Sequence, residues 1–300
     1  MKLSPIAFFA YARQSHAYAS LTALSQCQLA EESTLYIFCD GAKSAEDKNR
    51  VKEVQDIVRS KKWCGNVNIV VREKNMGLAN SIIYGVSSLI EKYGRVIVLE
   101  DDLLVSPFFL TYMNNALTQY ERDERVMQIS GYMFDIHLDV ETDAFFLPFT
   151  SSWGWATWKR AWKIFDPLMG AYDLLKANKQ LKNRFNLYGA YDYFGMLKMQ
   201  KEGKIDSWAI RWYLSVFMEG GLILYPAKTL IKNIGWDASG VHCGNAFCED
   251  KIDEEFKVLV YPTHIAVSSE LEKLQQHLRR KAGNISKIKK FFDVLMRRSV

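Results

Sequence analysis

Short apolar runs alternate with longer, half-polar stretches through residues 1–120. The runs "PIAFFAY", "TLYIFCD", "NVNIVVRE" and "RVIVLED" read as strands, with helices over His16–Gln28, Ala45–Lys62 and Leu78–Lys92 between them. Ser106 and Pro107 read as the N-cap and first position of a fourth helix reaching Tyr120. Strand and helix alternating with short connections predict an α/β fold, a Rossmann-like, mostly parallel sheet flanked by helices. Val96–Leu99 is apolar at every position, as a strand covered on both faces requires. Such sheets bind ligands at the carboxyl ends of their strands. Tyr11-Ala12-Arg13, Asp40-Gly41, Arg72-Glu73-Lys74-Asn75 and Glu100-Asp101-Asp102 stand there, and are expected to converge on one edge.

The second half is less regular. A Trp-rich segment near 153–162 places Trp158 and Trp162 one helical turn apart. Helices are expected near 171–183, 188–202 and Trp208–Glu219, then the strand "GLILYP" and the polar loop "NIGWDASGVHCGN". With 300 residues, 49% of them hydrophobic, the chain can bury the core of one large α/β domain or two small ones. Net charge is +5, but from Leu271 onward there are nine Lys/Arg against two Asp/Glu, leaving 30 basic and 32 acidic residues elsewhere. A near-neutral body does not fit nucleic-acid binding. Five sparse cysteines do not form a disulfide framework, and a reducing cytoplasm is expected. The N-terminal apolar stretch is too short for a signal peptide, and no run of about 18 apolar residues predicts a membrane-spanning helix.

Three consecutive acids, Glu100-Asp101-Asp102, end the fourth apolar run. Like charges at a buried strand end repel, so a cation or water must compensate them. A divalent ion completed by water and substrate phosphates fits so sparse a ligand supply. The plain alternative is a solvated strand end that caps the next helix. No Gly-rich phosphate loop of the Walker or dinucleotide type occurs.

The segments "LEDDLLVSPFFLTYM", "SSWGWATWKRAW" and "IDSWAIRWYLSVFMEGGLILYPAKTLIKNIG", in this order, resemble bacterial glycosyltransferases of the GT-A fold. They are similar to the inverting N-acetylglucosaminyltransferase I-like family, whose metal motif is Glu-Asp-Asp, over about residues 4–245. The resemblance implies a nucleotide-sugar donor, usually a UDP-sugar, Mn²⁺ or Mg²⁺, and a glycan or lipid-linked glycan acceptor. It implies a GT-A domain over residues 1–267, with a nucleotide-sugar half to about 125 and an acceptor half after it. By the same resemblance Asp102 ligates the metal, Asp101 sits near the ribose or the metal's waters, Glu100 supports the site, and Arg13 meets the nucleotide. A late His, here His242, is a second metal or diphosphate ligand, and Asp206 is the catalytic base.

The residues allow these roles and plainer ones. A guanidinium such as that of Arg13 can bond a base carbonyl or a phosphate, or it can lie at a helix entrance. Asp40 can accept from an imide N–H or ribose hydroxyl, or cap a turn. Lys74 can reach a phosphate, and Asn75 lies in the same loop, which a simple loop-to-helix turn also explains. The indoles of Trp153 and Trp155 suit sugar faces as well as a core. Inversion needs one base opposite the leaving group; besides Asp206, Asp192 and Asp237 are available, and Asp206 or Ser207 can cap the Trp208 helix. Cys243 and Cys248 with His242 lack a fourth zinc ligand. Residues 268–300 form a basic tail whose "NISKIKKFFDVLMRRSV" has an amphipathic helical pattern, suited to an anionic membrane surface on the cytoplasmic face or to docking on the body. A retaining transferase, a nucleotidyltransferase and a non-catalytic glycan-binding protein are the competing classes.

Overall fold

The computed structural model describes residues 3–235 and 251–281. Its strands are β1 (Ile6–Ala10), β2 (Thr34–Cys39), β3 (Asn66–Val71), β4 (Arg95–Glu100), β5 (Leu103–Val105), β6 (Val126–Ser130), β7 (Ala144–Leu147), β8 (Trp155–Trp158), β9 (Leu222–Pro226) and β10 (Ile231–Asn233). Its helices are α1 (Gln14–Ser25), α2 (Asp47–Arg59), α3 (Leu78–Tyr93), α4 (Phe109–Gln119), α5 (Lys159–Trp162), α6 (Tyr172–Ala177), α7 (Lys179–Phe185), α8 (Tyr193–Lys201) and α9 (Trp208–Met218). Eight strands form one sheet in the order β3-β2-β1-β4-β8-β6-β9-β7, and β5 and β10 form a separate antiparallel pair.

The α/β class and the mostly parallel, helix-flanked sheet are as expected. β3, β2, β1 and β4 run parallel, and β6 runs parallel to β9. The doubly wound pattern stops at β8, which lies antiparallel between β4 and β6, and at β7, antiparallel to β9. Strand alternation splits the core in two. Ile6, Phe8, Ile97 and Leu99 face α1, α2 and α4. Ala7, Phe9, Val96 and Val98 face α3, α5 and α9. The sheet is continuous across residue 125, so the two halves of the chain share both cores.

Two local expectations change. Trp158 ends β8 rather than lying on a helix with Trp162; both are buried, their indole N–H groups donating to the Leu117 carbonyl and the Ser87 hydroxyl. α4 starts at Phe109, because Leu103–Val105 continues extended to pair with β10. Ser106 therefore precedes the helix, its Oγ accepting from the Phe108 amide at 3.2 Å. Residues 271–281, within the expected tail, are helical, and Leu274 and Leu278 are buried in the α9-side core.

The end of β6 meets the approach to β8 through two glycines. The Gly131 amide donates to the Gly154 carbonyl at 2.7 Å. A Cβ on Gly131 would lie 2.9 Å from that carbonyl oxygen and 2.7 Å from the Phe109 ring. Gly131→Ala is expected to lower stability by about 1–3 kcal/mol, a Tm loss of about 2–4 °C per kcal/mol, measurable by thermal and urea unfolding.

Candidate functional site

The carboxyl ends of β1 and β4 meet through Arg13. It occupies the N-cap position of α1 in a non-helical conformation, and its guanidinium reaches across to β4. Nη2 pairs with Asp101 and with Asp102, the latter at 2.9 Å. Asp101 is buried and also accepts from the Tyr11 amide at 3.2 Å, while its carbonyl accepts from Ser20 of α1 at 2.8 Å. Asp102 opens the turn into β5. Its carbonyl accepts from the Ile234 amide at 2.9 Å, and Gly235 passes so close that a Cβ there would lie 2.5 Å from Asp102 Oδ2. His16 Nε2 lies 3.2 Å from the Ile234 carbonyl. The strand pair β5–β10 thus lays residues 233–235 over the acidic cluster. His242, Asp237, Cys243 and Cys248 lie outside the described residues, as does the segment 284–300.

One guanidinium does not balance three carboxylates. Burial, then Asp102 and Asp101, pushes Glu100 up to about 8. Burial also raises Asp101 despite the opposing pull of Arg13. For Arg13 burial disfavours the charge, but Asp101 and Asp102 outweigh it and raise its pKa. Among the described residues no group of three His, Cys, Asp or Glu is arranged to hold a metal.

Asp40 and Asn75 form a second cluster. Asp40 Oδ1 accepts from the Gly41 and Met76 amides, each at 3.0 Å, and Oδ2 accepts from Gly77 at 3.0 Å. Asn75 Nδ2 donates to the Gly41 carbonyl at 2.8 Å. This is the turn-capping role: Asp40 is buried with both oxygens committed to backbone amides, which leaves it poorly placed to accept from a nucleotide. Lys74 is exposed, with no carboxylate partner among the described residues. A cavity of about 320 Å³ opens beside the clasp, lined by Gly41, Lys48, Lys52, Arg72 and Glu73.

Asp206 reaches this edge from the second half of the chain. Gly77, at φ +77°, faces it; a Cβ there would lie 3.8 Å from Asp206 Oδ2. Asp206 Oδ1 accepts from Arg211 Nη2 at 2.9 Å; the Arg211 side chain is 11% exposed and that of Asp206 58%. The cap of α9 is Ser207, whose side chain accepts from the Ile210 amide, so Asp206 is released from that role. Asp192 caps α8, accepting from the Gly195 amide at 2.9 Å, which commits the alternative base to structure.

The tryptophans separate. Trp155 is fully buried in β8 and stacks on Trp208, with centroids 5.0 Å apart. It belongs to the core and cannot meet a sugar, a correction of its expected role. Trp153 is half-buried with its ring edge-on to Tyr132 at 4.5 Å. Arg211 and Ser20 were not anticipated, and Gly77 and Gly235 were expected only as loop glycines. The Asp206–Arg211 pair gave no spacing signal, since i and i+5 do not share a helix face and Asp206 precedes the cap of α9.

No protein-family model matches the chain, and no curated protein matches it. Among solved structures it is similar to S. aureus TarS 1–349, at 12% identity over 77% of this chain and 60% of that one, with a TM-score of 0.44. It is also similar to GalNAc-T7 with UDP, GalNAc and Mn²⁺, at 11% identity over 75% of this chain and 42% of that one, TM-score 0.44. A third is a UDP-glucose pyrophosphorylase complexed with UDP-glucose, at 13% identity over 77% and 92% of the two chains, TM-score 0.37. The chain thus spans less than two thirds of the TarS and GalNAc-T7 chains, and the functional reading rests on the site's own residues.

Glu100→Gln tests the charge imbalance. The Glu100 pKa is raised on folding, so the protein loses stability as pH climbs toward about 8. Gln removes that loss. In chelator, the variant is expected to melt about 2–4 °C above wild type at pH 8, about 1 kcal/mol, and close to it at pH 5.

Proposed function

We propose that the chain is a GT-A-type, metal-dependent, inverting glycosyltransferase that moves a sugar from a nucleotide-sugar, most simply a UDP-sugar, to a glycan hydroxyl. Two observations support this reading: the Arg13–Asp101–Asp102 cluster at the carboxyl ends of β1 and β4, and an uncapped, half-exposed carboxylate, Asp206, that faces Gly77 of the 74–77 loop. The first half of the chain supplies the donor side and the second half supplies the base.

The donor set fits a hard divalent cation. The ligands would be carboxylate oxygens, the donors such an ion prefers, and Asp102 and Asp101 add to burial in pushing Glu100 up to about 8. Asp102 would hold Mn²⁺ or Mg²⁺, with Glu100 and Asp101 behind it and His242 as a second ligand by family resemblance. When bound, the ion stabilises the charge that develops on the leaving diphosphate. Arg13 holds Asp101 and Asp102 in fixed orientation and presents positive charge toward the nucleotide. Asp40 and Asn75 shape the wall of the donor side by locking the loop at 74–77, from which Lys74 projects. Trp153 offers the remaining indole for a sugar face. Asp206 takes the proton of the acceptor hydroxyl through Oδ2, while Arg211 anchors Oδ1. A glycan or lipid-linked glycan acceptor, in cell-surface polysaccharide assembly at the cytoplasmic face, fits the basic C-terminal segment. Among the described residues no helix is long and apolar enough to cross a membrane.

Asp206→Asn is expected to lower kcat by about 10²–10⁴-fold while donor affinity, measured calorimetrically with Mn²⁺, stays within a few-fold. Because Ser207 is the cap, near-normal turnover would reject Asp206 as base. NMR of the product anomer checks inversion; a retained configuration would overturn the single-base mechanism. Asp102→Ala should abolish Mn²⁺-dependent UDP binding with the fold intact by circular dichroism. Wild-type turnover should stop in chelator and return with Mn²⁺ or Mg²⁺.

A further inference from the structure

The helices α6–α8 bury one side and leave a distinctive surface on the other. Tyr172, Leu175, Phe185 and Leu197 are in the core, whereas Leu168, Leu174, Tyr188, Tyr191 and Met199 are 40–79% exposed. Single exposed apolar side chains are ordinary, but this group coincides with a strained turn. Leu187, Tyr188 and Gly189 follow one another at φ +48°, +56° and +78°. Non-glycine residues rarely hold that region, and each costs free energy to keep there. The turn buries Leu187 and leaves Tyr188 outside. It is braced by the Tyr188 amide donating to the Asn183 carbonyl at 2.7 Å and by Arg279 Nη2 donating to the Tyr188 carbonyl at 3.1 Å.

The same segment is basic. Residues 168–204 carry seven Lys/Arg against three Asp/Glu. Lys198 and Lys204 pair with Glu202. Lys176, Lys179, Lys182, Arg184 and Lys201 have no carboxylate partner among the described residues. Lys182 lies over the Phe194 ring and Lys201 over the Tyr172 ring, and those two rings stack on each other. α6, α7 and α8 therefore share one cationic–aromatic cluster. Arg279 lies beside the Tyr188 turn, and the sequence after it, residues 282–300, holds five Lys/Arg against one Asp.

From this combination we infer that the outer side of α6–α8, centred on the Tyr188–Tyr191 turn, is a docking surface for an anionic lipid bilayer. Tyrosine rings with a polar tip sit at headgroup level, lysines meet acidic headgroups, and Leu168, Leu174 and Met199 gain an apolar phase. A soluble acidic polymer would satisfy the lysines but offers nothing to the aliphatic side chains. The surface operates whether or not the transferase reading holds, because lipid binding is measured without donor or acceptor.

The test is flotation of the full chain with phosphatidylcholine vesicles, with and without phosphatidylglycerol. Wild type should float only with phosphatidylglycerol, and more weakly at high salt. The variant Lys176→Glu/Lys179→Glu/Tyr188→Asn/Tyr191→Ser should bind at least about tenfold more weakly although residues 282–300 remain; Asn is chosen because it tolerates the left-handed backbone. A chain lacking 282–300 should retain binding that the same four changes remove. If the fourfold variant does not melt cooperatively, Lys176→Glu/Lys179→Glu decides, with a loss of several-fold expected. Vesicle binding unchanged by these substitutions overturns the proposal. So does a wild type that ignores phosphatidylglycerol vesicles yet binds dextran sulfate.

Discussion

Three carboxylates follow one another at the end of a buried parallel strand, and one guanidinium keeps that arrangement folded. Arg13 sits where β1 gives way to α1, so its backbone is fixed by the neighbouring strand. Pairing with both Asp101 and Asp102 lets the sheet bring two acids inside without leaving either alone. Removing one partner of a buried pair typically costs about 3–5 kcal/mol, because the other charge stays desolvated. Burial, with Asp102 and Asp101 adding to it, raises the Glu100 pKa despite the opposing pull of Arg13. A site that is nearly balanced but still negative can keep its shape while attracting a cation.

The rest of the sheet edge is built around that constraint. Ser20 ties α1 to the Asp101 carbonyl, and β10 ties residues 233–235 to Asp102. Asp40 closes the 74–77 loop with its own carboxylate, and the loop then offers a glycine where Asp206 approaches. Behind Asp206, α9 is locked into the core by Trp208 and Trp212, the latter donating to the buried Gln128 at 2.7 Å. The half-exposed acid therefore lies immediately before the cap of a helix anchored in the core, which favours a defined orientation over a mobile one.

Much of the first half was legible in the chain itself. Four apolar runs became four parallel strands within a residue or two, because local periodicity reports burial on two faces. The prediction that their charged ends converge held for Arg13 with Asp101 and Asp102, and for Asp40 with the Asn75 loop. The second half resisted for the same physical reason. "WATW" is too short to show a period, and its role as an antiparallel strand depends on β4 and β6, both distant in sequence.

By itself, then, the sequence determined the α/β class, the positions of the charged strand ends, and the near-neutral body with its basic C-terminal segment. Those properties follow from composition and from contacts between near neighbours along the chain. Only the tertiary structure decided which of several plausible roles each side chain takes. Trp155 went to the core because a strand fell between β4 and β6. Asp40 and Asp192 were committed to backbone amides, and Ser207 took the cap that would have occupied Asp206. Each outcome depends on which hydrogen-bond donor arrives from a distant segment, and residue identity cannot encode that locally.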